Sequence, residues 1–474
     1  KVPDIDLNFS GEYQPRIHKY CEEMFGSDNV FRAGTIATIA EKTAYGFVRA
    51  FEEHTGKPVG KAQSTVLSIG TSGVRRTTGQ HPGGIIVLPQ GMDIHEFTPV
   101  QHPANSKEKG IITTHFEYTA LHDNLLKLDL LGHDDPTMIR TLEDITGRSY
   151  REVPFDDPKT MSIFSGIEAL GLDGRKYGQE VGTIGIPEFG TRFVRGMLAE
   201  TKPSTFDELV RISGLSHGTN VWLGNAQEVI MSGRGSLSDV ISVRDDIMNY
   251  LISKGMEPKD AFQIMERVRK GKGLLPKDVE AMGKLSLPEW YADSCNRISY
   301  MFPKAHACAY VMMAFRIAYA KVHDPQAFYG AYFTVRAFDF DPSFADMSIR
   351  EIDRLIREID SNRSATQKDK DKVPVLEVVR EALLRGTSIK KVDIEKSHPV
   401  RFSKEGDSIS APLSSVPRIG QRVALKIAED REARPFTSVE NLKERSGLTK
   451  SHIDALRECG ALSSLKESEH MPLF

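Results

Sequence analysis

A change of hydrophobic pattern near residue 134 sets the strongest limit on how this chain can fold. Residues 1–134 mix short apolar, β-rich runs with helical stretches, whereas residues 135–336 repeat apolar residues at spacings of three and four, as amphipathic helices do. Since 474 residues are too many for one hydrophobic core, the chain should contain several domains. The pattern therefore predicts a multidomain α+β protein in which a mixed region precedes a mostly helical one.

Two kinds of segment refine this prediction. Residues 85–88 and 125–131 are apolar runs bounded by glycine or proline, which is typical of buried strands. Helical spacing recurs over residues 37–52, 206–210, 244–251, 260–269 and 305–322. The charged run 368–372 is interpreted as a solvated helix end or loop.

Composition and charge exclude several classes of protein. Hydrophobic residues make up 39% of the chain, as in ordinary globular proteins, and no apolar run approaches the roughly 18 residues of a membrane-spanning helix. The net charge of −3, from 62 basic and 65 acidic residues, argues against a histone-like nucleic-acid binder, so any such site must be a local patch. The chain starts at Lys1 without a signal peptide, and we expect a fragment or processed piece.

The cysteines indicate a reducing compartment. The chain has four of them, and none forms a CxxC pair, which argues against a disulfide framework or a zinc module. They are Cys21, Cys295, Cys308 and Cys459. We therefore expect unpaired thiols in a cytoplasmic protein.

Two aspartates near the start form the first candidate metal site. On a strand, Asp4 and Asp6 would point to the same face, while Ile5 and Leu7 pack on the other. Two adjacent like charges are unfavourable unless a cation lies between them, so the pair suits a divalent metal. The alternative interpretation is a turn or a solvated strand edge.

A third carboxylate, Asp129, lies in the middle of the apolar run 125–131. A buried carboxylate is costly unless it is paired or bound to metal. The alternative is an ordinary pairing with Lys127 or His133 at a strand end. Three carboxylates on adjacent strands would suit two-metal phosphoryl transfer, with the ions roughly 4 Å apart.

Several long motifs resemble one family. The sequence is similar to the α-subunit of bacterial DNA polymerase III, in its PolC form, over essentially the whole chain. The similar segments are residues 3–14, 34–46, 81–84, 128–137, 212–219, 222–226, 244–248 and 301–307. The resemblance implies template-directed DNA synthesis in bacterial chromosome replication.

The resemblance also implies a domain order and a metal requirement. Residues 1–134 would be the C-terminal part of a palm with a polymerase β-like nucleotidyltransferase fold. The following parts would be fingers (135–336), a connecting region (337–410), a tandem helix-hairpin-helix module (411–465) and a clamp-binding tail (466–474). Asp4, Asp6 and Asp129 match the catalytic aspartates and would hold two Mg²⁺ ions, with Mn²⁺ as an alternative ion.

The fingers are expected to bind the incoming nucleotide. A basic, glycine-interrupted segment follows a predicted helix there, and it would otherwise be a solvated helix end. Likewise, the aromatic, lysine and histidine residues at a loop-to-helix junction would otherwise be ordinary surface and core residues. The expected nucleotide-binding residues are Arg244, Arg267, Arg269, Lys270, Lys272, Tyr300, Lys304 and His306. Relatives carry cysteines near Arg244 where this chain has Gly235 and Val243, so we predict no zinc there.

Two hairpins near the C-terminus resemble a tandem helix-hairpin-helix module that grips duplex DNA. Glycine lets backbone N–H groups approach a phosphate, and the next helix points its N-terminus at it. A single such segment could equally be an ordinary helix turn. The expected DNA-binding residues are Arg418, Ile419, Gly420, Gln421 and Arg422 in the first hairpin and Gly447, Thr449 and Lys450 in the second.

The last residues resemble the short peptide that family members insert into the β sliding clamp. His470, Met471, Leu473 and Phe474 are the expected contacts, with His470 where relatives have glutamine and Pro472 where they have a small polar residue. The alternative is a disordered tail.

These expectations define one function and one rival. The chain would transfer a nucleotide from a dNTP to a primer 3′-hydroxyl, with primer-template DNA, dNTP, the sliding clamp and other replisome subunits as partners and no membrane. The exonuclease, PHP and thumb domains and the first palm segment would all lie upstream. The rival is a catalytically incomplete fragment that only binds DNA and the clamp.

Overall fold

The computed structural model describes residues 5–104, 110–121, 124–337 and 340–468. The chain divides into two compact units, Lys1–Thr137 and Met138–Phe474. The first is built on a β-sheet and the second is mainly helical, as the change of pattern predicts. The α+β class is therefore confirmed.

The first unit contains a six-stranded mixed sheet with the order β1-β6-β3-β2-β5-β4. Its strands are β1 (Ile5–Ser10), β2 (Val30–Thr38), β3 (Arg75–Val87), β4 (Val100–Gln101), β5 (Thr113–Glu117) and β6 (Leu126–His133). Its helices are α1 (Gln14–Phe25), α2 (Glu41–Thr55), α3 (Lys61–Thr71) and α4 (Tyr118–Leu121). Strand β6 pairs with β1 in parallel and with β3 antiparallel.

The central strands are apolar because the sheet is covered on both faces. Ile85 and Val87 pack with Leu128 on one face, in a cluster that also takes in residues of α1. Ile86 and Leu88 belong to a second cluster on the opposite face. A strand buried on both faces reads as a continuous apolar run, which is why these two segments stood out in the sequence.

The strand and helix boundaries differ from the predictions in three places. The predicted strand 85–88 is the end of the longer β3, which stops at Val87 and leaves Leu88 outside. The predicted strand 125–131 begins one residue later, at Leu126, and continues through Gly132 to His133. The predicted helix 37–52 is wrong at its start, since Ala37 belongs to β2 and α2 begins at Glu41. Pairing with β3, on which Ala37 lies opposite Thr77, overrides the local helical spacing there.

Most of the second unit is helical. The helix that joins the units is α5 (Asp134–Thr146). It is followed by α6 (Pro158–Ser162), α7 (Gly174–Tyr177), α8 (Arg192–Thr201), α9 (Phe206–His217), α10 (Gln227–Met231), α11 (Arg244–Ser253), α12 (Pro258–Val268), α13 (Pro276–Gly283), α14 (Glu289–Arg297), α15 (Lys304–His323) and α16 (Pro325–Val335). The predicted helices at 206–210, 244–251, 260–269 and 305–322 are confirmed, except that α12 ends one residue before Arg269.

Two long helices and a small sheet continue the second unit. They are α17 (Ile349–Ser361) and α18 (Gln367–Leu384), then β7 (Ser388–Lys390), β8 (Ser403–Glu405) and β9 (Ser408–Ser410) in the order β7-β9-β8. The charged run 368–372 forms the first turns of α18, which confirms the helix-end interpretation. Thr366 caps this helix by accepting from the Asp369 N–H, and the Asp369 carboxylate accepts in return from Thr366.

The last described helices are α19 (Gln421–Ala433), α20 (Val439–Arg445) and α21 (Lys450–Glu458). They belong to the same continuous core as the earlier helices of the second unit, through residues such as Ile427, Leu442 and Leu456. Within the described parts of the chain, no helix is long and apolar enough to cross a membrane.

Candidate active site

Two carboxylates meet on adjacent strands of the first unit. The parallel register of β1 and β6 places Asp6 directly beside Asp129. Side chains at paired positions of neighbouring strands lie on the same face of the sheet. The structure therefore brings together two of the three predicted metal ligands, which are 123 positions apart in sequence. The third, Asp4, lies outside the described residues.

Asp129 is held in a polar pocket of the sheet. Its Oδ2 atom lies 2.8 Å from the Lys127 ammonium group, and its side chain is 15% exposed. Its Oδ1 atom is buried and accepts no hydrogen bond from the described residues. A carboxylate oxygen in this state is costly without a cation or donor, so the pairing with Lys127 does not account for the whole site.

His81 completes the surroundings of Asp129 and has a defined tautomer. Its Nδ1 atom accepts from the backbone N–H groups of Gly84 at 2.7 Å and Gly83 at 3.2 Å. Nδ1 therefore carries no proton, and its 3.9 Å separation from the Asp129 carboxylate is not an ion pair. Burial, and then the charge of Lys127, lower the pKa of His81, so the ring is neutral near pH 7 with its proton on Nε2.

The Gly83-Gly84 pair makes this arrangement sterically accessible. A Cβ atom on Gly84 would lie 2.8 Å from His81 Nδ1 and 2.9 Å from the Ala33 side chain, and one on Gly83 would overlap the Leu131 side chain. Sequence reasoning noted residues 81–84 only as part of the resemblance and assigned no role to His81. The available signal was the glycine pair that follows His81 and Pro82, since two adjacent glycines mark a close backbone approach.

The two placed carboxylates fit a divalent cation. Two like charges side by side, one with an orphaned buried oxygen, are an arrangement that a cation stabilises. Among the described residues, no group of three or more His, Cys, Asp or Glu side chains forms a metal cluster. A complete ligand set at this position thus depends on Asp4 or on oxygens of bound substrate.

In the second unit, the segment 299–304 is the point where the predicted nucleotide-binding residues converge. Tyr300 forms an isolated β-bridge with Thr219, directly after α9. The Arg244 N–H at the start of α11 donates to the Phe302 carbonyl at 3.0 Å, and the Met301 N–H donates to the carbonyl of Arg269 at 3.3 Å. One short segment therefore connects the ends of three helices whose sequences lie far apart.

The N-termini of α11 and α15 are tied together at this segment. The Lys304 N–H donates to the Asp245 carboxylate at 2.7 Å, which joins the first turn of α15 to the first turn of α11. Arg244 is half-buried at the start of α11. Each helix also contributes the positive end of its dipole, which favours an anion.

Several predicted phosphate-binding cations already have carboxylate partners. Arg267 lies 2.6 Å from Asp278, while Arg269 and Lys270 both pair with Glu266. The hydrogen bond from Arg269 is the leading cause that lowers the pKa of Glu266 to about 2. Lys304 similarly lies 3.1 Å from Asp207, whereas Lys272 is exposed. These partners reduce the net positive charge below what the sequence alone predicts.

An aromatic row lines the same segment. Tyr300 is 46% exposed and its ring lies 6.2 Å from that of Phe302. The Phe302 ring lies 4.7 Å from that of His306 and 5.0 Å from that of His217, measured between ring centroids. Sequence reasoning included His217 only within the motif 212–219 and gave it no role.

The two C-terminal hairpins are joined by an arginine. Gly420 caps α19 and Thr449 caps α21, where the Thr449 hydroxyl accepts from the His452 N–H. Arg418 Nη1 donates to Ser451 Oγ at 3.0 Å, which links the first hairpin to the first turn of α21. In the second hairpin Gly447 has a left-handed φ of +62°, whereas in the first hairpin Arg418 has the left-handed φ of +70°.

The remaining predicted residues of the hairpins are divided between core and surface. Ile419 is buried at 2% exposure and so anchors the hairpin to the core. Other predicted residues of the two hairpins line a groove of about 880 Å³. Its lining includes Gln421, Arg422, Lys426, Gly447 and His452. The clamp-binding residues His470, Met471, Leu473 and Phe474 lie outside the described residues.

The sequence matches three family models, one after another along the chain. Residues 1–57 and 57–132 match the model described as bacterial DNA polymerase III alpha NTPase domain. Residues 135–283 match the bacterial DNA polymerase III alpha subunit finger domain, and residues 386–471 match a helix-hairpin-helix motif.

Curated relatives align over the full chain. The DNA polymerase III PolC-type of Thermotoga petrophila is 54% identical over 474 residues, covering 100% of this chain and 35% of that protein. The PolC-type proteins of Caldanaerobacter subterraneus and Staphylococcus epidermidis are 53% and 52% identical, again over 100% of this chain and over 34% and 33% of their own lengths.

These matches confirm the resemblance found in the motifs. The two polymerase models together cover more than half of the chain, and the chain belongs to the family of bacterial DNA polymerase III α-subunits. Within that family, the relatives that align with its full length are of the PolC type. The chain spans about a third of the length of these relatives.

Proposed function

We propose that this chain supplies the catalytic carboxylates, the nucleotide-binding fingers and a duplex-binding module for template-directed DNA synthesis. The observation that carries the proposal is the register pairing of Asp6 with Asp129, because sequence-distant carboxylates meet where the family's catalytic aspartates are expected. In this assignment residues 1–134 are palm, 135–336 fingers, 337–410 a connection, 411–465 the helix-hairpin-helix module and 466–474 a clamp-binding tail.

The proposed reaction is nucleotidyl transfer. The oxygen of a primer 3′-hydroxyl attacks the α-phosphorus of a dNTP, a new P–O bond forms, and the bond to the oxygen bridging the β-phosphorus breaks to release pyrophosphate. Asp4, Asp6 and Asp129 would hold two Mg²⁺ ions, which when bound lower the pKa of the hydroxyl and neutralise charge on the leaving group.

The residues around Asp129 keep that carboxylate oriented. Lys127 holds one carboxylate oxygen at 2.8 Å and leaves the buried Oδ1 without a hydrogen bond from the described residues. The neutral His81 adds no second positive charge that would compete with a cation.

In the fingers, the triphosphate would lie at the joined N-termini of α11 and α15, where Arg244 and Lys304 are placed. Backbone N–H groups and helix dipoles there supply part of the positive potential that the carboxylate-paired cations do not. The exposed Tyr300 ring offers a flat surface for the base pair.

The helix-hairpin-helix module would hold the duplex without reading its sequence. Backbone groups at the starts of α19 and α21 would approach phosphates, with Arg418, Gln421, Arg422 and Lys450 adding contacts. The tail residues would anchor a sliding clamp, and the protein would act in the cytoplasm.

Primer extension tests the catalytic part of this proposal. The chain alone, and then the chain mixed with an upstream fragment of a PolC-type relative, is incubated with a labelled primer-template, dNTPs and Mg²⁺. We expect extension that Asp129→Asn abolishes while duplex binding persists, since the substitution removes a charged ligand but keeps the side-chain volume. Glu280→Gln, a substitution at an exposed carboxylate of α13, is the matched control.

The outcomes separate the polymerase from its rival. If extension appears only with the upstream fragment and is lost in Asp129→Asn, the result supports the proposal that this chain forms one half of an active site and the upstream fragment the other. Near-normal extension by Asp129→Asn would refute the catalytic assignment. Duplex binding without extension in any mixture would favour a fragment that only binds DNA and the clamp.

A further inference from the structure

His217, the last residue of α9, faces a hydrogen-bond acceptor at each of its ring nitrogens. Its Nε2 atom lies 2.9 Å from the Glu188 carboxylate. Its Nδ1 atom lies 2.8 Å from the carbonyl oxygen of Ser213, one turn earlier in the helix. An imidazole that faces an acceptor at both nitrogens needs protons on both, so the geometry selects the charged form.

Glu188 reaches this position at a conformational cost. Its φ is +65°, in the left-handed region that residues with a side chain rarely adopt. Glycine would adopt it freely, and glycine already occupies nearby positions 185 and 190. A strained residue persists when its surroundings require it, and here the partner of its side chain is His217.

The charged ring of His217 lies against the segment where the predicted nucleotide-binding residues converge. Its centroid is 5.0 Å from that of Phe302, within the range of a cation–π contact. Phe302 also contacts the His306 ring, and the Phe302 carbonyl accepts from the Arg244 N–H. Two residues after His217, Thr219 forms the β-bridge with Tyr300.

We propose that Glu188 and His217 form a positioning pair that holds the segment 299–304 in the arrangement that binds a deoxynucleoside triphosphate. The pair itself does not touch the reacting atoms. It acts through Phe302 and the Thr219–Tyr300 bridge on Tyr300, Arg244 and His306. The inference rests on the proposed function, since it assigns a partner to the same nucleotide site.

The pair also makes nucleotide binding sensitive to pH. The hydrogen bond to Glu188 is the largest cause that raises the pKa of His217 above its ordinary value, against an opposing effect of burial. The charged or titratable groups at the near ends of the neighbouring elements include Arg244 and Asp245 on α11, Lys304 and His306 on α15, and Tyr300 before α15. As pH rises through the raised pKa, His217 loses its charge and the pair loses its ionic component.

The chain offers a matched control in His323 on α15. Its Nε2 atom lies 3.0 Å from the Asp157 carboxylate, its ring contacts Tyr319 at 4.2 Å, and its side chain is 32% exposed, against 34% for His217. Because α15 has 20 residues, His323 lies roughly 28 Å along the helix from its start at Lys304. His323→Gln therefore removes a similar pair that lies far from the proposed site.

The test measures dNTP affinity and thermal stability in the same variants of the full chain. Fluorescently labelled dATP is titrated with Mg²⁺ into the chain bound to a primer-template duplex, between about pH 6 and pH 9. We expect His217→Gln and Glu188→Gln each to weaken dATP binding roughly tenfold. The double variant should lose less affinity than the two single variants combined, because both remove the same pair. His323→Gln should leave dATP binding unchanged. The wild type should lose affinity with rising pH in a step that His217→Gln lacks.

Glu188→Gly separates positioning from simple structural support. Glycine removes the carboxylate and also relieves the left-handed strain, so the melting temperature should stay the same or rise while dATP binding weakens. If Glu188→Gly instead lowers the melting temperature and weakens dATP binding together, the pair serves only as structural support and the positioning role is overturned.

Arg244→Ala distinguishes failure of this inference from failure of the proposed function. If the wild type binds no dATP, or Arg244→Ala binds it equally well, the nucleotide site itself is misassigned. The positioning role of the pair is then refuted as well. If Arg244→Ala weakens binding while His217→Gln behaves like His323→Gln, the nucleotide site stands and the positioning pair is refuted.

Discussion

A buried ion pair in the second unit allows a prediction whose size follows from the structure. Lys321 on α15 and Glu381 on α18 are both 0% exposed and lie 2.8 Å apart. The Lys321 ammonium also donates to the carbonyls of Gly182 at 2.7 Å and Ile184 at 2.6 Å. Every donor of this ammonium group therefore has an acceptor, which is the condition under which a buried charge is tolerated.

The carboxylate side of the pair is equally complete. The hydroxyls of Tyr177 at 2.5 Å and Tyr329 at 2.8 Å donate to Glu381. Burial lowers the pKa of Lys321 to about 8, so the ammonium group is still charged at pH 7. Burial, followed by the nearby carboxylate, raises the pKa of Tyr177, so its hydroxyl remains a donor.

Lys321→Met should therefore destabilise the unit strongly. The substitution keeps an apolar chain of similar length but leaves the Glu381 charge without its counter-ion and two carbonyls without a donor. Breaking a buried pair on one side costs about 3–5 kcal/mol, which for a unit of this size lowers the melting temperature by about 4–7 °C. The double variant Lys321→Met/Glu381→Leu should lose less than the sum of the single variants, because it removes the uncompensated charge.

Thermal melting followed by circular dichroism measures these shifts. The matched control is Lys284→Met, which breaks a pair with Glu280 whose side chains are 73% and 75% exposed and which should shift the melting temperature by about 1 °C or less. If Lys321→Met melts within about 1 °C of this control, the reasoning from burial and hydrogen bonding is wrong.

Four further predictions test the palm, the fingers and the duplex module. Chelation of divalent ions with EDTA should stop primer extension and be reversed by Mg²⁺, whereas Asp129→Asn should stay inactive at any Mg²⁺ concentration. Gly34→Ala should unfold or strongly destabilise the first unit, because a Cβ there would overlap a backbone oxygen of β5, while Gly46→Ala, with open space around it, should melt normally. Since the pKa of His217 is raised, its stabilising effect is fully present below its ordinary pKa of about 6.5 and lost as pH rises through the raised value, so wild type and His217→Gln should converge in melting temperature at high pH. Duplex affinity should fall steeply with salt, and Arg418→Ala, which unlinks the two hairpins, should weaken it at every salt concentration in a filter-binding assay.

Much of the fold could be predicted because secondary structure follows local periodicity. The helices containing Phe206, Arg244 and Lys304 and the strand containing Asp129 were all evident from the spacing of apolar residues. The error at Ala37 shows where this reasoning fails, since a neighbouring strand decided the conformation there.

For the candidate site, too, some features could be predicted from the sequence and others could not. Alternation along a strand suggested a metal site, and the family motifs assigned the aspartates, the finger residues and the hairpins. Those signals could not show that Arg267 and Lys270 are committed to carboxylates, or that Arg418 reaches Ser451. Ion pairs of this kind depend on helices that are distant in sequence, so no local pattern records them.

The sequence by itself therefore determined most of the element types, the family and the chemical identity of the proposed catalytic groups. Only the tertiary structure decided that Asp6 lies beside Asp129, that His81 is neutral and that His217 is held by Glu188. The physical reason is the range of the interactions. Hydrophobic periodicity acts over one or two turns of chain, whereas strand register, burial and ion pairing join residues that are brought together only when the chain folds.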